Sequence, residues 1–140
     1  MGRYESGVFI INEGNYNQGN GSISFYSPAT NSMNQNIFQT ENNRSLGDVV
    51  QSMSIIGDYG FIAVNNSNKI EVVNYKTFLE QAVINDLPMV RYIQESYNDK
   101  AYVSCWGDEG QIKVIDTKNF SLSASERYPW NAVGIVFGNR

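Results

Sequence analysis

Two stretches of the chain follow the same pattern, "DYGFIAVNNSNKIEVVNYKTF" at residues 58–78 and "DKAYVSCWGDEGQIKVIDTKNF" at residues 99–120. In each, a short apolar run is followed by a turn rich in Asn, Asp or Gly and then by a second run of alternating apolar residues, which is typical of two paired strands. Phe61 matches Tyr102 at a separation of 102 − 61 = 41 residues, and Ile70 matches Ile112 at 112 − 70 = 42. A repeat of roughly 40–45 residues with four strands is the size of one β-propeller blade. The pattern therefore predicts an all-β chain.

The repeat divides the chain into three predicted antiparallel blades, each with strands A (innermost) to D (outermost). Residues 49–86 form the second blade, with strands predicted at Val50–Ile56, Phe61–Asn65, Lys69–Tyr75 and Leu79–Asn85. Residues 90–129 form the third, with strands predicted at Arg91–Ser96, Ala101–Trp106, Gln111–Thr117 and Ser121–Tyr128. No segment shows a helical period.

The first blade is offset by one strand. Residues 7–41, which begin "GVFIINEGNYNQGNGSISFYSPATN", supply strands B, C and D at Val8–Asn12, Ser22–Ser27 and Met33–Gln39, with no strand A before them. Asn131–Phe137, "NAVGIVF", is a surplus inner strand that completes this blade. Residues 1–140 are thus expected to form one partial propeller domain, a half-ring that a homodimer closes by exchanging this strand. The alternative is a piece of a longer propeller.

Composition excludes several classes of function. The net charge is −4, from 14 acidic and 10 basic residues, which argues against a nucleic-acid partner because phosphate contacts dominate that affinity. The chain has no histidine and one cysteine, so Ser-His-Asp and Cys-His mechanisms and the usual zinc ligand sets are not available. No catalytic residue, metal ligand or cofactor is predicted, and Cys105 is expected to be a small core residue.

The candidate site lies at the rim of the central channel. The connection between blades one and two, "NNRSLGDVVQSM" at residues 42–53, ends in an inner strand, and D-to-A connections and B-to-C loops of a propeller emerge on the same face. Polar and aromatic side chains that converge in a concave site are typical of ligand recognition. The candidate ligand-binding residues are Tyr16, Arg44, Asp48, Gln51, Asn65, Asn66, Arg91, Trp106 and Trp130. The alternatives are aromatic packing between blades, inter-blade ion pairs of the arginines, and turn formation by the asparagines.

The segments "GVFIINEGNYNQGNGSISFYSP", "RSLGDVVQSM", "GFIAVNNSNKIEVV" and "KAYVSCWGDEGQIKVID" resemble the exported YncE-like, surface-layer-type β-propellers of Bacteroidetes. The resemblance covers most of the chain, and "NEGN" and "LGDVVQSM" are its more specific parts. One branch, the BtuG-type surface lipoproteins, captures cobalamin beside an outer-membrane transporter. The family's ring usually has more blades than this chain supplies.

The resemblance implies a cell-surface or extracellular protein, with a cobalamin-like small molecule as its candidate ligand and an outer-membrane transporter as its candidate partner. No export signal is recognisable at the start of this chain. The leading expectation is a non-catalytic ligand-binding propeller. Two alternatives are a hydrolase of the lactonase type, because one fold hosts many activities, and a scaffold that binds proteins.

Overall fold

The computed structural model describes residues 2–127, with side chains to residue 123. This part of the chain is all-β and contains three antiparallel sheets of three, four and four strands. The strands are β1 (Val8–Asn12), β2 (Ser22–Ser27), β3 (Ser32–Asn34), β4 (Val50–Ile56), β5 (Tyr59–Val64), β6 (Lys69–Asn74), β7 (Glu80–Ile84), β8 (Val90–Glu95), β9 (Lys100–Cys105), β10 (Gln111–Asp116) and β11 (Ser121–Arg127). A helix, α1 (Ile37–Asn42), and a 3₁₀ turn, Asn65–Ser67, complete the regular elements.

Each sheet is built from strands that are consecutive in the chain, in the orders β1-β2-β3, β4-β5-β6-β7 and β8-β9-β10-β11. Every strand of the second and third sheets begins and ends within two residues of its predicted position. The expected all-β organisation is therefore confirmed.

The predicted strand Met33–Gln39 is wrong beyond Asn34, and so is the expectation that the chain has no helix. Strand β3 ends at Asn34, and the chain then forms α1 between Asn36 and Asn43, both in the left-handed region with φ of 51° and 58°. The neighbouring residues Ile37 and Phe38 are both buried, whereas a strand would point them to opposite faces. None of the helices in residues 2–127 is long and apolar enough to cross a membrane.

Two hydrophobic cores hold the sheets together. Strand β5 faces both, because its successive side chains point to opposite sides: Ile62 and Val64 pack against the first sheet, and Phe61 and Ala63 against the third. All four side chains are fully buried. A strand buried on both faces is expected of a middle layer, so the second sheet lies between the first and the third.

The first strands of the two complete sheets lie side by side. The hydroxyls of Ser52 and Ser54 on β4 donate hydrogen bonds to the backbone carbonyls of Arg91 and Ile93 on β8. Small serine side chains allow the two strands to approach closely at this point. The predicted inner strand Asn131–Phe137 lies outside the described residues.

Candidate ligand site at the rim

The loops at one end of the sheets are joined by the same backbone hydrogen bonds in two successive blades. The amides of Asn65 and Asn66 donate to the carbonyls of Val49 and Asp48, at 2.7 and 3.0 Å. In the next blade the amides of Trp106 and Gly107 donate to the carbonyls of Met89 and Pro88, at 3.1 and 3.0 Å. The connections between blades and the B-to-C loops therefore meet at one rim, as predicted.

A β-bulge marks the start of each inner strand at this rim. The pairing register shifts between Val50 and Ser52 and again between Val90 and Tyr92, which leaves Gln51 and Arg91 as the extra residues. A bulge locally bends a strand and re-aims the extra side chain. Both blades thus have a bulge that re-aims a long polar side chain at the start of the inner strand.

Arg91 stacks on an aromatic ring. The guanidinium carbon of Arg91 lies 3.9 Å from the ring centroid of Trp106, within the range of a strong cation–π contact. No carboxylate of residues 2–123, the part of the chain with described side chains, forms an ion pair with Arg91. Its Nε atom is buried without a hydrogen-bond partner. The pair combines a flat surface with a positive charge that no described acidic group neutralises.

Asp48 ties two neighbouring loops together. Its carboxylate accepts hydrogen bonds from the Asn66 side chain at 2.6 Å and from the backbone amides of Asn17 and Gly19 at 2.9 and 3.3 Å. The hydrogen bond from Asn66 and those from the backbone lower the pKa of Asp48, although its partial desolvation opposes them. Tyr16, in the same loop as Asn17, is 67% exposed. Asp48 and Asn66 therefore form hydrogen bonds that stabilise the structure of these loops.

Arg44 is separate from the Arg91–Trp106 pair. It donates two hydrogen bonds to the buried carboxylate of Glu71, at 2.8 and 2.9 Å, and forms an ion pair of 2.6 Å with Glu80. Glu71 and Glu80 belong to β6 and β7, the strands of the second sheet farthest from the inner strand β4. Arg44 therefore makes the inter-blade ion pairs that were the alternative to ligand contact.

Asn65 also has a structural contact. Its side chain is buried, and its Nδ2 atom donates to the carbonyl of Val90 at 2.9 Å, which links the second blade to the inner strand of the third. Cys105 is fully buried, as expected, and burial raises the pKa of its thiol to about 12, so it does not form a thiolate at neutral pH. Trp130 lies outside the described residues.

Of the nine predicted site residues, the structure brings Arg91 and Trp106 into contact and joins Asp48 to Asn66. The contact between Arg91 and Trp106 was not predicted, since the sequence analysis treated arginines and tryptophans as separate sets. An alignment of the two blades could have placed these residues together. Gln51 and Asn65 of the second blade occupy the positions that Arg91 and Trp106 occupy in the third, so both residues of the pair belong to adjoining rim elements.

The antiparallel sheets, with the first strands of the two complete sheets side by side, form a fold that resembles the blades of a β-propeller. The chain belongs to a family described as a domain of unknown function (DUF5074), which matches residues 6–127. A search of curated proteins gives no match.

Among solved structures, the chain is similar to the hydrazine synthase of Kuenenia stuttgartiensis, with a TM-score of 0.65 and 19% sequence identity. The similarity covers 80% of this chain and 31% of that chain, so the protein spans about a third of the length of this structural neighbour. At this identity the likeness shows the fold alone.

Proposed function

We propose that this protein is a non-catalytic binding propeller that holds a small molecule with a flat ring and a negative charge at the rim of its channel. The observation that carries the proposal is Arg91, whose guanidinium stacks on Trp106 while its Nε lacks a hydrogen-bond partner and no described carboxylate neutralises its charge. Arg91 is partly exposed, and an arginine pairs well with phosphate or carboxylate groups because its planar donors match their geometry.

The second part of the ligand is inferred from the aromatic surface. A flat ring gains dispersion and stacking energy against indole, and aromatic side chains are frequent anchors in ligand sites. Gln51 occupies the corresponding bulge of the preceding blade and supplies an amide for a neutral polar group. A cobalamin-like molecule, which the family resemblance suggests, combines a broad flat ring with a phosphodiester and with amides.

Absence of catalysis is proposed because suitable groups are missing from the sequence or engaged in the fold. The chain has no histidine. The buried thiol of Cys105 is a poor nucleophile, and the carboxylate of Glu71 is held by Arg44 and Lys69. The proposals of a cell-surface location, a lipoprotein form and association with an outer-membrane transporter rest on the resemblance to YncE-like propellers.

Calorimetric titration of the full chain tests this function with three probes: cyanocobalamin, cobinamide, which has the corrin ring without the phosphodiester, and flavin mononucleotide. We expect a probe with both a flat ring and a phosphate to bind. The change Arg91→Met should weaken its binding about tenfold to a hundredfold, since a hydrogen bond to a charged group contributes about 1.5–3 kcal/mol. Trp106→Leu should also weaken it.

Arg3→Met is the control, because Arg3 is an exposed arginine that pairs with Glu41 and not with Arg91 or Trp106. It should leave affinity unchanged. Failure of both phosphate-bearing probes to bind, or binding that Arg91→Met and Trp106→Leu leave intact, would contradict the proposed site.

A further inference from the structure

A polar cleft opens between the second and third sheets, at the end where the connections between blades lie. Its volume is about 560 Å³, within the range of small-molecule sites. The lining comes from the 3₁₀ turn, the connection between the blades and the third sheet, and consists of Ser67, Asn68, Asn85, Asp86, Pro88, Asp108 and Lys113. Apart from Pro88, every lining side chain carries a hydroxyl, amide, carboxylate or ammonium group.

The corresponding place between the first and second sheets is occupied by an ion pair. Glu71 lies opposite Ile62 on the neighbouring strand, and Lys113 lies opposite Val103, the matching residue of the next repeat. Arg44 lies in the connection that precedes the second blade and donates a hydrogen bond to Glu71. Among residues 2–123, whose side chains the structure describes, no carboxylate lies within ion-pair distance of Lys113. The cleft therefore occupies the position at which the second blade has the salt bridge between Arg44 and Glu71.

Gln111 is another residue of β10, and one of its polar atoms lacks a partner. It shares one face of β10 with Lys113, and its cross-strand partner Cys105 packs in the core between the second and third sheets. Gln111 is 8% exposed, and its Oε1 atom is buried without a hydrogen-bond donor. Lys69, at the matching position of the second blade, instead donates to Glu71 at 2.6 Å. A buried carbonyl oxygen without a donor costs about 1–3 kcal/mol, so this part of β10 is less well satisfied than its counterpart in the second blade.

We propose that this cleft binds a neutral carbohydrate, independently of the ligand held by Arg91 and Trp106. A sugar hydroxyl accepts a hydrogen bond from Lys113 or from an asparagine amide while it donates to Asp86 or Asp108. The lining has two carboxylates and one ammonium group, which disfavours a strongly anionic ligand, and its polarity disfavours an apolar one. Hydroxyl groups match both the donors and the acceptors of this cleft.

Saturation-transfer difference NMR on the full chain tests the proposal with D-glucose, D-galactose, D-mannose and N-acetyl-D-glucosamine, alongside D-glucuronate and glycine as charged comparisons. We expect at least one neutral sugar to bind at millimolar concentration. Lys113→Met keeps the length of the side chain and removes its donors, and it should weaken binding about tenfold. Lys118→Met is the matched control, because Lys118 lines a different cleft with Gly57 and Asp99 and should not affect binding.

Two further measurements separate this site from the proposed function. Trp106→Leu, which is directed at the other site, should leave sugar binding unchanged, and Lys113→Met should leave binding of the phosphate-bearing probes unchanged. Thermal unfolding of both variants verifies that they fold. Absence of sugar binding to the native chain, a response only to glucuronate or glycine, or equal binding by Lys113→Met would each overturn the proposal.

Discussion

Glu71 is a fully buried carboxylate whose charge is compensated by two cations. Arg44 binds it through two hydrogen bonds, and Lys69 donates to it at 2.6 Å. Burial alone would raise the pKa of Glu71, but the hydrogen bonds from Arg44 and Lys69 outweigh it, so the pKa is lowered. The carboxylate is therefore ionised at neutral pH and depends on both partners for its charge compensation.

Removal of one of these partners should destabilise the protein. We expect Arg44→Ala to lower the free energy of unfolding by about 2–3 kcal/mol, less than the loss for an isolated buried pair because Lys69 still compensates Glu71. Urea unfolding followed by fluorescence measures this change. Arg3→Ala removes an arginine with a 60% exposed side chain from its pair with Glu41 and should cost less than about 1 kcal/mol. Equal losses for the two variants would contradict a special role for the buried pair.

The loops at the rim depend on one another through Asp48. This residue follows the first blade, yet its carboxylate holds the loop between β1 and β2 and the turn after β5. We expect Asp48→Ala to accelerate amide hydrogen exchange at Asn17 and Gly19, because both amides lose their acceptor. Exchange followed by NMR measures the effect.

Asp58→Ala is the matched control, since Asp58 is an exposed acid whose ion pair with Lys76 is long, at 4.0 Å. It should leave the amides of Asn17 and Gly19 protected. Unchanged exchange at these two amides in Asp48→Ala would show that other contacts hold the loops.

Strand positions could be predicted from the sequence wherever apolar alternation and turn residues agree, as they do in β4 (Val50–Ile56), whose predicted and observed bounds are identical. The helix α1 was missed because six residues are too few to show a helical period, and its adjacent Ile37 and Phe38 also fit a strand. The asparagines at its two ends were the available signal, since asparagine tolerates positive φ.

The site could be predicted only in part. Sequence indicated that Arg91 and Trp106 belong to rim elements, but the bulge that re-aims Arg91 has no residue signature of its own, because the pairing register depends on both strands. The roles of Lys113 and Gln111 were missed for a related reason. Each lies within an ordinary alternating strand, and only the sheet packing shows that Lys113 lines a cleft and that the Oε1 atom of Gln111 lacks a donor.

At the scale of the whole molecule, the first sheet leaves one edge and one face open within residues 2–127. The sheet has three strands, with β1 at its edge. In the other two sheets a further strand, β4 or β8, pairs with the strand that corresponds to β1. Phe9 and Ile11 of β1 pack into the core, but Val8 and Ile10 point the other way and are 50% and 37% exposed. Unpaired strand edges with exposed apolar residues readily pair with another chain.

We therefore expect the 140-residue chain to form a two-fold dimer in which residues 131–137 of each copy pair with β1 of the other. Because both copies contribute the same two surfaces, the contact is self-complementary and closes after two chains. Sedimentation velocity over a range of concentrations should show a dimer that dissociates on dilution. Deletion of residues 131–140 or the change Val8→Lys should leave a folded monomer, whereas Val83→Lys, at an exposed valine of the outer strand β7, should preserve the dimer. A monomer at every concentration, or a dimer that survives both the deletion and Val8→Lys, would contradict strand exchange at β1.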